Sequence, residues 1–179
     1  MSVRASRPKQ LRPRRTFTIV WVVTFVTVLL ALAGQNALAQ PAPGVPDHIV
    51  CETCTLSSIQ QALALAQPGA RIEVRGGVYP GPLVIERDVV LYGVDNPVID
   101  GQGAGTILTV RDATAHIEGF TIRSTGTSLH REDAAILVDS ARASILRNRI
   151  EDALFGLYVK NSPHTVLIEN IVFGKDLPV

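Results

Sequence analysis

The fold is decided by three aligned segments, Ile117–Ile122 (IEGFTI), Ile145–Ile150 (ILRNRI) and Leu167–Val172 (LIENIV). Each begins and ends with an aliphatic residue, with four positions between. The second and third segments start 22 residues apart, and the first two start 28 apart, which is one such period plus six. A fixed period of this size is typical of a solenoid, in which stacked coils bury one continuous core.

The apolar runs along residues 71–172 predict strands. They are short, rich in Val, Ile and Thr, and punctuated by Gly, Pro and Asn, so they leave no room for interleaved helices. We therefore predict an all-β solenoid of about five stacked coils, the alternative being a β-sandwich with chance similarity. The predicted strands are Arg71–Val74, Leu83–Ile85, Val89–Tyr92, Pro97–Asp100, Ile107–Val110, Ala115–Ile122, Ile136–Val138, Ala143–Ile150, Gly156–Val159 and Val166–Val172.

Polar residues also recur from coil to coil. Asn148 returns as Asn170, which predicts a structural ladder of stacked amide hydrogen bonds. Asp139-Ser140 returns as Asn161-Ser162, which predicts that Asp139 stacks on Asn161 rather than on another carboxylate. That placement favours a scaffold over a polysaccharide-cleaving enzyme, because glycosidases use paired carboxylates.

The six extra residues before the second repeat predict a loop over Arg123–Asp133, ejected from one corner of the coil. Insertions in repeat proteins map to one face, often the binding face. His130, Arg131, Glu132 and Asp133 are therefore candidates for a partner-binding loop, with an ordinary solvated loop as the alternative.

The first 39 residues have the layout of a secretory signal peptide. Residues 1–16 hold six of the 17 basic residues and no acidic one, an apolar run covers Phe17–Ala33, and Ala37-Leu38-Ala39 offers a cleavage site. An uncleaved membrane anchor is the alternative. Arg14-Arg15 also resembles a twin-arginine export signal. We expect an exported, periplasmic protein.

Residues 40–179 hold the other 11 basic residues and all 16 acidic ones, so their formal net charge is −5. No basic patch with interleaved aromatic residues is present, which argues against nucleic-acid binding. A piece of this length can bury the core of one domain.

A leader over residues 40–56 precedes a predicted capping helix over residues 57–66, and the β-helix domain covers residues 57–179. Ser57 and Gln60 have the spacing of a capping box. Four residues share one face of the helix, which we expect to cover the end of the core: Ile59, Ala62, Leu63 and Ala66.

The leader contains the residues with the most reactive chemistry. Cys51 and Cys54 have a spacing that allows a disulfide in an oxidising compartment. As thiolates, with His48 nearby, they are instead candidates for binding copper(I). The sequence leaves both alternatives open.

The chain stops at Lys175–Val179, shortly after a predicted strand. We expect an open edge there, because unpaired strands associate readily. The sequence is thus expected to be either the N-terminal part of a longer chain, truncated within its solenoid, or a short protein that dimerises.

Seven segments carry a resemblance to a known family. They are Cys51-x-x-Cys54 before Ile59–Leu63, Pro68–Ile72, Gly77–Ile85, Gly93–Gly101, Gly126–Leu129 with Glu132–Ala134, Asn148–Gly156 and Gly174–Pro178. Through them, residues 50–179 resemble the N-terminal β-helix region of the NosD family of periplasmic maturation proteins of nitrous oxide reductase.

The resemblance implies a right-handed parallel β-helix that acts outside the cytoplasmic membrane as a non-enzymatic accessory protein. Such proteins work with an ABC transporter and help to assemble the copper–sulfide centre of the reductase. The alternatives are a carbohydrate-binding or polysaccharide-cleaving β-helix, and an exported module with another partner. The resemblance also makes copper a candidate cofactor.

Overall fold

The computed structural model describes residues 44–176. The predicted signal peptide, its twin-arginine pair and the last three residues lie outside this range. Within it, no helix is long and apolar enough to cross a membrane. The described chain contains one helix, α1 (Ile59–Leu65), and the following strands: β1 (His48–Val50), β2 (Ala70–Arg75), β3 (Val78–Pro80), β4 (Leu83–Ile85), β5 (Val89–Val94), β6 (Val98–Asp100), β7 (Leu108–Arg111), β8 (Thr114–Glu118), β9 (Thr121–Arg123), β10 (Ala134–Asp139), β11 (Arg142–Leu146), β12 (Arg149–Ala153), β13 (Phe155–Lys160), β14 (Val166–Ile168) and β15 (Ile171–Gly174).

The strands form three parallel sheets. Sheet A has the order β1-β2-β5-β8-β11-β14, sheet B has β3-β6-β9-β12-β15, and sheet C has β4-β7-β10-β13. From β2 onward every third strand returns to the same sheet, so each of these coils crosses all three sheets and stacks on the previous coil. The apolar side chains of alternate positions point inward and form one core. The predicted parallel β-helix is therefore confirmed.

The predicted repeats set the register between coils. Ile145 pairs with Leu167 in sheet A, and Ile150 pairs with Val172 in sheet B. The same two residues pair with Ile117 and Ile122 of the preceding coil. Equivalent positions of the three segments are thus direct neighbours across the sheets.

The three longest predicted strands are each broken in two by a corner residue, which corrects the sequence prediction. Gly119, Arg147 and Glu169 have φ values of 79°, 50° and 54°. This left-handed conformation ends the strand of sheet A and redirects the chain into sheet B. The four positions inside each repeat therefore contain a turn rather than a continuous strand.

Two strands were not predicted from the sequence. Strand β1 lies in the predicted leader, and β3 lies between the turns at Gly77 and Gly81. Both have only three residues, and β3 ends in a proline, so neither gives a clear alternating pattern. Because β1 adds a sixth strand to sheet A, the β-helix has about six turns rather than five.

Helix α1 is shorter than predicted, and its N-cap is one residue later. Ser58, not Ser57, has the extended backbone of an N-cap, and its side chain accepts a hydrogen bond from the amide of Gln61 at 3.5 Å. The predicted apolar face is confirmed, because Ile59, Ala62, Leu63 and Ala66 are all buried in the core cluster. The helix therefore covers the N-terminal end of the core.

The predicted stacking of Asp139 on Asn161 is wrong by one residue. Asp139 pairs with Lys160, because the last two strands of sheet C are related by 21 residues and not by 22. Ser140 and Asn161 are instead corner residues, with φ values of 53° and 48°. The additional residue of the last coil lies in the turn that leads to β14.

Asn148 and Asn170 lie one above the other at the corner between sheets A and B. The side-chain amide of Asn148 is buried; it donates to Oδ1 of Asn170 at 3.1 Å and to the carbonyl of Ile117 at 3.1 Å. Its own Oδ1 accepts from the amide of Phe120 at 3.0 Å. The side chain thus satisfies backbone groups that a turn leaves without partners.

Replacing Asn148 by Asp is expected to destabilise the fold by about 2 kcal/mol or more. The new carboxylate oxygen would face two other acceptors, the carbonyl of Ile117 and Oδ1 of Asn170. Thermal and denaturant unfolding measure the change. The matched control is Asn161→Asp, at an exposed corner; equal stability of the two variants would contradict the structural role of the ladder.

The last coil leaves apolar side chains exposed. Val172 is 48% exposed, although the residues in register with it in the two preceding coils, Ile122 and Ile150, are fully buried. Strands β13, β14 and β15 are edge strands of their sheets. Unpaired edges with apolar neighbours favour association.

Protein comprising residues 40–179 is therefore expected to self-associate through this end. Sedimentation velocity at increasing concentration should show association, and Val172→Glu should suppress it. Leu65→Glu, an exposed position on α1, is the control that should leave association unchanged. A monomer at high concentration would contradict this expectation.

Candidate functional site

The corner between sheets B and C carries the loops of this β-helix. The chain closes this corner with residues 81–82 in one coil and with residue 154 alone in another. The two coils between them instead have longer connections, over residues 101–107 and 124–133. Since one residue is enough to close the corner, the longer loops are not needed to complete the coil.

The loop over residues 124–133 is held by the carboxylate of Asp133. This residue is 2% exposed. Its Oδ2 accepts from the amide of Ser128 at 2.8 Å, and the guanidinium of Arg131 lies 3.4 Å away. Burial alone would raise the pKa of this carboxyl, but these partners lower it below its ordinary value of 3.8. Asp133 is therefore an ionised, loop-organising group rather than a surface charge.

The two adjacent loops also bind each other. The amide of Gly126 donates to the carbonyl of Gly105 at 2.9 Å. Thr125 is fully buried, and its hydroxyl accepts from the amide of Leu154 in the next coil at 2.8 Å. The loop is thus tied to the coil before it and to the coil after it.

Glu132 reaches from the loop over the outer face of sheet C. Its carboxylate accepts from the hydroxyl of Tyr158 at 2.7 Å and lies 2.5 Å from Nζ of Lys160. The bond from Lys160, followed by that from Tyr158, lowers the pKa of Glu132. The same contacts raise the pKa of Lys160 and of Tyr158. At neutral pH the carboxylate and the ammonium are both charged, and the phenol keeps its proton.

Aromatic side chains lie beside this cluster. The rings of Phe155 and Tyr158 have centroids 5.8 Å apart, and Nζ of Lys160 lies 4.9 Å from the centre of the Tyr158 ring. Such contacts stabilise a cation over an aromatic face. The edge of sheet C next to the loop is therefore a surface of mixed aromatic and charged character.

Charges of opposite sign alternate along the outer face of sheet C. Arg111 lies 3.9 Å from Glu86 and pairs in register with Asp139, which pairs with Lys160 in the next coil. Opposite charges on neighbouring strands stabilise their pairing, whereas like charges oppose it. The row therefore reinforces the register of the coils and presents a surface without a dominant charge.

The structure separates the four residues predicted for the partner-binding loop. His130 and Arg131 are exposed at its tip, whereas Glu132 and Asp133 turn back onto the rod. Sequence reasoning missed Tyr158 and Lys160, which meet Glu132 from one coil later. The register of sheet C pairs Tyr158 with Leu137 and Lys160 with Asp139, so no spacing in the sequence points to Glu132, which reaches them from a loop.

Cys51 and Cys54 are joined in a disulfide. The sulfurs are therefore not thiolates in this structure, and across residues 44–176 no three His, Cys, Asp or Glu side chains come together as metal ligands. His48 belongs to β1 and lines the same shallow groove as Cys54. The metal site predicted from these three residues is not formed here, because the sulfurs bond to each other; copper binding would require prior reduction.

The disulfide lies where the chain turns from β1 towards α1. The amide of Cys51 donates to the carbonyl of Leu56 at 3.1 Å, and the amide of Cys54 donates back to the carbonyl of Cys51 at 3.2 Å. The pair thus closes the tight turn that leads from the first strand to the capping helix.

Replacing Gly126 by Ala is expected to displace the loop. A Cβ at this position would overlap Oδ2 of Asp133 and lie 2.7 Å from the amide nitrogen of Gly105. Hydrogen exchange of the Ser128 and Leu154 amides should therefore accelerate. The control is Gly174→Ala, where a Cβ meets no atom within 4 Å. Unchanged protection in the Gly126 variant would contradict the close packing of this position against Asp133 and Gly105.

Comparison with known proteins gives two curated relatives, both named "Probable ABC transporter binding protein NosD". The protein of Pseudomonas aeruginosa is 28% identical over 150 residues, covering 83% of this chain and 31% of the relative. That of Stutzerimonas stutzeri is 30% identical over 106 residues, covering 58% of this chain and 24% of the relative. This chain thus spans less than a third of the length of these relatives.

Among solved structures, a pectin methylesterase mutant in complex with a hexasaccharide has a TM-score of 0.60, covering 73% of this chain and 50% of that one. The two are 19% identical, so the likeness shows the fold alone. No family model matches the chain. The resemblance to the NosD family that the sequence indicated is confirmed: most of the chain is similar to part of these ABC transporter binding proteins.

Proposed function

We propose that this protein is an exported accessory scaffold that binds an ABC transporter in the periplasm and assists maturation of the copper–sulfide centre of nitrous oxide reductase. The observation that carries the proposal is the similarity of 83% of the chain to a protein named as an ABC transporter binding protein. In this role the β-helix supplies rigid faces and one ordered loop for protein contacts.

The outer faces of the β-helix favour a scaffold over a glycosidase. In sheet B, Arg123 lies between Asp100 and Glu151 in successive coils, and its Nη2 is 2.9 Å from Asp100. In sheet C, Arg111 lies between Glu86 and Asp139. Glycosidases place two carboxylates across one bond and raise the pKa of the acid. A cation beside each carboxylate works against that arrangement.

In sheet A a carboxylate also lies beside basic side chains. Nε2 of His116 lies 2.7 Å from Oε2 of Glu118, whose other oxygen is bound by the guanidinium of Arg147. Burial acts to raise the pKa of Glu118, but these two partners lower it overall. A carboxyl with a lowered pKa is ionised at neutral pH and is a poor general acid.

The same alternation disfavours a polyanionic ligand. Successive coils are about 4.8 Å apart. A ligand with a negative charge at every step would therefore meet a carboxylate of this chain in every second coil of sheets B and C. A protein surface with both signs of charge fits these faces better than an acidic polysaccharide does.

Deletion of the gene from its denitrifying host tests the proposal. We expect whole cells to lose nitrous oxide consumption while still exporting a reductase that lacks its copper–sulfide centre. The full-length gene should restore both consumption and the visible absorption of the centre.

Normal consumption in the deletion strain would refute the maturation role. The purified protein should then be tested against neutral and acidic oligosaccharides. Cleavage or tight binding of either would establish the carbohydrate-active alternative.

A further inference from the structure

The loop over residues 124–133 has an inner side and an outer side. Thr125 and Asp133 are buried, and Glu132 is bound to the outer face of sheet C. Leu129 is 67% exposed, and the side chain of Arg131 is 70% exposed. The inner residues fix the loop to the rod, and the outer residues form its tip.

Ordering this loop costs conformational entropy, although the coil can be closed without a loop of this length. Each backbone residue that is fixed in one conformation loses conformational entropy. In the next coil residue 154 alone closes the equivalent corner. The β-helix therefore does not require a ten-residue connection at this corner. The buried Asp133 and the bond from Gly126 to Gly105 offset this cost by holding one conformation. A loop ordered in advance binds a partner with a smaller entropic loss.

We infer that the loop tip, formed by Leu129, His130 and Arg131, is the contact through which this protein binds the extracytoplasmic surface of its ABC transporter. The matching surface has an apolar pocket for Leu129 and a carboxylate at its rim for Arg131. The inference rests on the proposed function and adds to it the residues and the chemistry of the contact.

The chemistry of the tip defines that partner surface. The guanidinium of Arg131 directs Nε and Nη2 towards Asp133, each at 3.4 Å, so Nη1 is the nitrogen oriented to reach a second acceptor. A carboxylate there would form a charge-assisted hydrogen bond. Leu129 supplies apolar area that is removed from water only when a partner covers it.

The distribution of charge on the chain favours approach of an acidic partner at the loop tip. Residues 44–176 contain 11 basic and 16 acidic residues, so the net charge of this part of the chain repels an acidic partner. At the tip the two carboxylates of the loop turn inward, and the exposed charge is that of Arg131. An acidic rim therefore approaches the loop tip in preference to the remaining surface.

Binding of the full chain to the purified transporter tests the inference. Both proteins are produced in the denitrifying host, and the transporter is solubilised in detergent and immobilised. The double variant Leu129→Asp with Arg131→Glu is expected to bind at least about tenfold more weakly. The control is Leu65→Asp, a similarly exposed leucine on α1, which should change affinity less than about twofold.

A milder variant, Leu129→Ala, keeps the contact between Arg131 and Asp133; it guards against misfolding and should also weaken binding at an unchanged melting temperature. Unaltered affinity of the double variant, equal weakening by Leu65→Asp, or failure of the unaltered chain to bind the transporter would each overturn the inference. The deletion phenotype is independent of these outcomes. Lost nitrous oxide consumption with unaltered affinity of the double variant would refute only the contact. Lost consumption without any transporter binding would also refute the transporter-binding part of the proposed function and leave the maturation role standing.

Discussion

The parallel register between successive coils is the constraint on which the rest of the structure depends. No coil can bury its own apolar side chains, and the strands are too short to be stable alone. Stacking places each residue beside its equivalent in the next coil, as with Ile145 and Leu167. Once the register is set, the backbone hydrogen bonds, the core and the polar rows on the outside are aligned together.

Changes of chain direction and insertions occur at the corners of the coils, because the register of the strands does not allow them within the sheets. A residue with positive φ, such as Arg147, turns the chain from one sheet to the next in a single step. Asn148, which follows it, binds the backbone of the preceding coil and the side chain of Asn170 in the next coil through its side chain. Insertions occur at a different corner, between sheets B and C, where they do not disturb the ladder. The rod therefore tolerates the loop near Asp133 without a change in strand pairing.

Alternating charges on the outer faces both stabilise the register of the coils and determine the character of the surface. Neighbouring coils place Arg123 beside Asp100, and Lys160 beside Asp139. These pairs favour the correct alignment and leave faces without a dominant charge, which suits protein contacts better than a charged polymer. The loop tip differs from them because its carboxylates turn inward and its apolar and basic side chains turn outward.

The sequence by itself determined the solenoid, the stacking of the three repeats, the apolar face of the capping helix and the resemblance to the NosD family. These features follow from local spacing, which a chain displays directly. It did not determine β1, the break at Gly119, or the partner of Asp139, since each depends on how one coil meets the next. Only the tertiary structure showed that Asp133 is buried and that Glu132 binds Tyr158 and Lys160. The physical reason is that residues more than 20 positions apart become neighbours through stacking, and a one-residue difference between coils changes which side chains meet.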